Sequence, residues 1–304
     1  LGEDRKEGWQ LSRFAIHSAS FARGAFLLPG AASRAPCYNH PVTDPAVENP
    51  QPELLQPWAL SPEPRPLFGM GVVWLAFGVT VVAMFAFGVV AVGVARHLAL
   101  AHHTALHSVA DDPRVLVPAQ FAAYGLLMLM LWRYFGHYLR VPMFLALGWR
   151  WPQRAWQFVG TGILMAAAVQ LLSHWLPEPQ DMPIDHLIRT PLDGALMAGF
   201  GVLVAPLVEE ILFRGLLFPA LARRSGAVVA LVASSMLFGA LHASQLAGAW
   251  AQVALIVAVG ALLTLVRWWW HSLASSWLVH AGYNAALFGA LAVQTHGFTQ
   301  FPPR

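Results

Sequence analysis

Charge is what this 304-residue chain has least of: Asp, Glu, Lys and Arg together make up 11% of it, against 57% hydrophobic residues. A water-soluble domain of that size cannot cover its surface with so few charges, so a soluble globular protein is excluded. Cysteine is almost missing. Cys37 stands alone, which rules out an internal disulfide and any cysteine-based zinc cluster. The formal net charge of +3 is too small to mark a nucleic-acid binder, and the arginines gather in short connections between apolar runs, as orientation signals do. The HExxH pattern of helical zinc peptidases does not occur. Nor is there an inverted repeat or a pair of broken helices of the kind transporters use.

What the chain has instead is apolar length. Seven segments, at 68–95, 115–139, 155–176, 192–222, 226–243, 248–268 and 272–294, are each long enough to cross a bilayer at about 17 to 25 residues. The expected fold is therefore an all-α, polytopic transmembrane helical bundle of about seven spans. Residues 1–66 mix Pro, Ser, Arg and acidic residues without a helical or strand period, and read as a disordered or loosely attached N-terminal segment. Its apolar stretch at 14–33 is broken by Arg23 and Pro29 and makes a poor signal-peptide core. Residues 67–176 then form three N-terminal transmembrane helices, 177–294 a second helical bundle, and 295–304 a short tail.

The basic residues alternate along this string. Arg133, Arg140, Arg150 and Arg154 follow the second span, Arg223 and Arg224 the fourth, and Arg267 closes the sixth. Acidic Glu178, Asp181 and Asp185 follow the third. The positive-inside rule then places the N-terminus in the cytosol and the C-terminus outside. Trp149, Trp151, Trp156 and the run Trp268, Trp269 and Trp270 flank the arginines as an interfacial belt would. Small residues at helical spacing, Ala195 with Gly199, Gly239 with Ala243 and Ala281 with Ala285, are expected to let the last four helices approach closely.

The chemistry is expected where charge intrudes on lipid. Glu209, Glu210 and Arg214 lie inside the fourth span, and an ionisable group at membrane depth is a functional site by default because it costs several kcal/mol unless paired or hydrated. Glu210 and Arg214, four apart, share a helix face and neutralise one another. Glu209 points about 100° away from Glu210, and the local sequence offers it no cation. If the chain turns at Ser225 and Gly226, Glu209 lies sixteen residues before the turn and His242 sixteen after it, so both sit about 24 Å from it, at one depth. His280 and Asn284 share a face of the last helix and can offer two hydrogen bonds to one oxygen, as a tetrahedral oxyanion requires. Phe238, one turn before His242, would wall the cavity. Pro206 cannot donate to the helix and loosens it just before Glu209, a route for water.

These motifs resemble those of the CPBP family, the CAAX-protease and bacteriocin-processing (Abi) membrane proteins. Glu-Glu-Ile-Leu-Phe-Arg at 209–214 resembles the EExxxR motif, Phe238 with His242 the FxxxH motif, and His280 with Asn284 the HxxxN motif, in the family's order. The resemblance implies a glutamate-dependent intramembrane endopeptidase. Glu209 and His242 would activate water, His280 and Asn284 would hold the oxyanion, and Glu210 and Arg214 would order the site. Where many relatives carry a second Asn after the last motif, this chain has Ala285. Implied partners are the lipid bilayer and a membrane-associated peptide or protein, lipidated or not, with no nucleic acid. A multi-pass protein of a bacterial inner membrane is expected, with no cofactor.

Two other readings stand beside this one. A zinc ion on Glu209, His242 and His280 has the right ligand types for a metalloprotease. A non-catalytic immunity or peptide-binding membrane protein would use the same polar cavity. His97, His102, His103 and His107 have no regular ligand spacing and are not expected to hold a metal.

Overall fold

Each apolar run predicted as a span is helical in the computed structural model, which describes residues 67–101, 112–176, 187–246 and 249–300. The N-terminal segment 1–66, the acidic connection after the third span, and His102, His103 and His107 lie outside the described residues. Among the described residues there are helices and no strands. In chain order they are α1 (Met70–Ala101), α2 (Pro113–Tyr138), the single turn α3 (Met143–Ala146) and α4 (Ala155–Ser173). Then follow α5 (Pro191–Ser225), α6 (Ala227–His242), α7 (Trp250–Trp270) and α8 (Leu273–Gln294).

Five of these, α1, α2, α4, α5 and α7, are long and apolar enough to cross a membrane. The expectation of seven is met by five on that measure, for two different reasons. Helix α6 is apolar but only 16 residues long, about 24 Å against a hydrocarbon core of about 30 Å. Helix α8 has 22 residues but carries Ser275, Ser276, His280 and Asn284, and it buries most of its first half. These five helices instead expose large apolar side chains, among them Trp74, Phe85, Leu164 and Leu171, as a lipid-facing surface does.

The helix ends explain how the bundle closes. Gly226, at φ +85°, makes the reversal between α5 and α6 in a conformation that disfavours residues with a Cβ. At the opposite end of α5, Thr190 and Asp193 form a capping box, and Arg114 at the start of α2 reaches across to both, 3.2 Å from Asp193 and 3.2 Å from Thr190. The starts of α2 and α5 are thus tied together, and the two run the same way. Beyond α8, Phe298 packs on Gly194 at that same end.

Close packing falls partly where the small residues predicted it. At Gly239 of α6 a Cβ would collide with Val257 of α7. Around Gly199 there is open space. The tightest approach is one the small-residue spacing missed: Gly162 of α4 lies against the backbone of Val279 and Tyr283, and Gly282 of α8 against that of Val159. Neither glycine has room for a side chain. This contact presses α8 along α4 and fixes which face α8 turns inward.

Candidate active site

Helix α5 does not keep one period. It passes from α to π geometry at Phe200–Val204, returns to α over Ala205–Glu210, and opens again into a π segment at Ile211–Leu217. Such bulges are uncommon in helices and concentrate at functional sites. The first has a cause in the sequence. Ala205 donates five residues back to Phe200, so the next donor in that register, position 206, would serve Gly201. Position 206 is proline and has no N–H. The Gly201 carbonyl is satisfied from another helix, by the side-chain amide of Asn284 at 2.7 Å. Trp277, on the same helix, donates to the Leu203 carbonyl at 3.2 Å. Helix α8 thereby holds open a bulge that Pro206 makes necessary.

Between the two bulges stand Glu209 and Glu210, with different surroundings. Glu210 is fully buried, and three donors converge on its carboxylate: Arg214 at 2.9 Å, His280 Nδ1 at 3.0 Å and the Ser276 hydroxyl. A buried carboxylate is tolerable only with this degree of pairing. Arg214, equally buried, also donates to the Gly260 carbonyl at 2.8 Å and to Thr264 at 3.3 Å on α7. Its guanidinium lies 4.5 Å from the centre of the Phe238 ring, which supplies a cation–π contact. The pair expected within α5 is therefore one part of a network that fastens α5, α6, α7 and α8 together.

Glu209 keeps 25% of its side chain accessible, and its carboxylate stands 3.7 Å from Nε2 of His280. His280 is held between the two glutamates, with Nδ1 on the buried one and Nε2 facing the accessible one. His242 reaches the site through Phe238, whose ring centre is 4.6 Å from that of His242 and 5.9 Å from that of His280. Nδ1 of His242 is 2.8 Å from the Phe238 carbonyl. A carbonyl only accepts, so Nδ1 carries a proton, and the neutral tautomer with that bond has its lone pair on Nε2.

Glu209, Glu210, Arg214, Phe238, His242 and His280 thus form one cluster, and Asn284 adjoins it at the bulge. Ser276, Thr264 and Gly260 were not singled out from the sequence, although the signal was present: Ser276, His280 and Asn284 recur every four residues on one face, as do Gly260 and Thr264. Among the described residues no three His, Cys, Asp or Glu side chains are grouped as metal ligands.

Fold and site define a helical membrane protein with a buried carboxylate, arginine and histidine network open on one side. The family model described as type II CAAX prenyl endopeptidase Rce1-like matches residues 191–286, which contain the whole cluster. Comparison with curated proteins and with solved structures gives no match.

Proposed function

We propose that the protein is an intramembrane endopeptidase in which Glu209 activates water against a peptide bond of a membrane-associated substrate. The observation that carries this reading is the placement of His280 between a buried carboxylate that orients it and an accessible one that it faces. At 3.7 Å, Glu209 and His280 Nε2 are too far apart for a direct hydrogen bond and well placed to share one water. The match to a prenyl endopeptidase family over residues 191–286 supports hydrolysis as the reaction class.

In this mechanism Glu209 takes a proton from the water as its oxygen attacks the scissile carbonyl carbon. The lone pair on His242 Nε2 accepts the water's other hydrogen and aims it. The tetrahedral oxyanion is met by His280, which in its doubly protonated form donates from Nε2 while Glu210, on Nδ1, balances its charge. Asn284 spends one amide hydrogen on Gly201 and has a second to offer the oxyanion. Glu209 then passes its proton to the amide nitrogen, the C–N bond breaks, and a carboxylic acid and an amine leave, the acid giving its proton to the amine in water. Glu210, Arg214, Ser276 and Thr264 hold the geometry without touching the reacting atoms.

The reading is tested with the purified chain in lipid nanodiscs, offered a farnesylated peptide with a CAAX C-terminus and a membrane-anchored peptide without a prenyl group. Mass spectrometry should find cleavage products from at least one. Intact peptides throughout, with either peptide still retained on the protein, would replace the enzyme by the peptide-binding alternative. A bacterial inner membrane with the arginine-rich end in the cytosol is the proposed setting.

A further inference from the structure

Building on the endopeptidase reading, we propose that Tyr124 of α2, a helix that none of the three motifs reaches, is a substrate-binding residue of the site: its hydroxyl donates a hydrogen bond to a backbone carbonyl of the peptide that lies against Glu209.

The position of Tyr124 follows from the way α2 and α5 are joined. Arg114 holds Thr190 and Asp193 where the two helices start. Tyr124 stands ten residues beyond Arg114 and Phe200 ten beyond Thr190, so each lies about 15 Å along its own helix and the two meet at one level. Their rings stack at 5.7 Å between centres with 10° between planes. Phe121, three residues earlier on the same face of α2, closes on the Phe200 ring edge-on at 5.2 Å. Phe200 is where α5 opens into its first π segment, the bulge that precedes Glu209. Two aromatic contacts thus fix the Tyr124 ring against the part of α5 that leads into the site.

The polar end of the ring is not used by these contacts. Tyr124 is only 9% exposed, and its hydroxyl makes no hydrogen bond to any described residue. A buried tyrosine ordinarily finds a partner for that group, and one left without marks a place where a ligand supplies it. The hydroxyl is near enough to the Glu209 carboxylate for the two to act on one another electrostatically, yet no hydrogen bond joins them. Phenol and carboxylate therefore border one space, and Glu209, a quarter accessible, opens into it. An extended peptide turns successive residues to opposite sides. With the scissile carbonyl directed to His280 and Asn284 on α8, a neighbouring carbonyl turns away from α8, and Tyr124 supplies its donor from α2. Held rigidly and apart from the reacting atoms, such a bond has the same strength before and during the reaction, so it contributes to substrate affinity and not to the chemical step.

The experiment uses Tyr124→Phe in the full chain in nanodiscs, which deletes the hydroxyl and keeps the stack on Phe200. On whichever of the farnesylated and non-prenylated peptides the wild type cleaves, KM should rise about tenfold while kcat stays within about twofold. The unfolding temperature should stay close to that of the wild type. Tyr283→Phe removes a buried hydroxyl from the cluster of Met165 and Val259 instead and should change neither constant. Equilibrium binding of the same peptides, labelled with a fluorophore, is measured with and without Tyr124→Phe in the Glu209→Gln background, where turnover does not interfere, and should weaken by the same factor. A wild type that cleaves neither peptide would remove the hydrolytic reading alone, and the binding comparison, made then in the unmodified chain, would still decide on Tyr124. Unchanged KM and binding, a loss confined to kcat, equal effects of the two phenylalanine substitutions, or no binding of either peptide would overturn the proposal.

Discussion

Asn284 donates its side-chain amide to the carbonyl of Gly201, 2.7 Å away on a neighbouring helix, and this bond answers a deficit created by Pro206. A proline at 206 cannot donate to the π register that Phe200–Val204 adopts, so a half-buried acceptor would be stranded without the asparagine. Asn284→Ala should cost about 1 kcal/mol of stability. The loss should shrink when combined with Pro206→Ala, which restores an N–H to the helix. A double-mutant cycle on unfolding in detergent measures the coupling, and strict additivity would separate the two residues.

Removing one member of the central ion pair should be far worse than removing a neutral partner. Arg214→Leu strands the fully buried Glu210 carboxylate and should cost about 3–5 kcal/mol. Ser276→Ala removes one of three donors and should cost about 1–3 kcal/mol. Equilibrium unfolding of the two variants compares them, and the serine variant should keep measurable cleavage.

The contact between α4 and α8 gives a paired test on one helix. Gly162→Ala drives a methyl group into the backbone of α8 and should destabilise by about 1–3 kcal/mol. Gly160→Ala, with nothing within 4 Å of the new Cβ, should be neutral or stabilising by up to about 1 kcal/mol. Because Gly162 helps set the rotation of α8, its variant should also lose activity beyond what unfolding accounts for.

Strong chelation should leave cleavage unchanged. His280 Nδ1 is taken up by Glu210 and His242 Nδ1 by its own helix, an arrangement suited to proton traffic. Loss of activity in chelator with recovery on added zinc would move Glu209, His242 and His280 from base and oxyanion roles to ligand roles.

Much of this molecule can be read from its residues, and what cannot has a geometric reason. Apolar length located the helices, Gly226 marked the reversal, and the four-residue spacing of Glu210 and Arg214 announced their pairing. The partner of Glu209 was harder. The two π segments in α5 change both rise and phase, so the azimuth that turns Glu209 toward His280 cannot be extrapolated from an α period. The rotation of α8, which brings His280 to Glu209, depends on the close approach of Gly162 and Gly282, two glycines that look unremarkable in isolation. Ser276 and Thr264 were missed because hydroxyls in apolar helices usually bond to their own backbone; only the assembled bundle shows Ser276 on Glu210 and Thr264 on Arg214.

The central claim is that the accessible carboxylate of Glu209, and not the buried one of Glu210, does the chemistry. Its most direct test is the single-turnover cleavage rate of Glu209→Gln, measured on a peptide the wild type cleaves, beside its unfolding temperature. The account predicts a rate lowered by at least about a hundredfold with an unfolding temperature close to that of the wild type, because Glu209 is a quarter accessible and lies outside the bonds that hold the helices together. A Glu209→Gln protein that cleaves at the wild-type rate would contradict it.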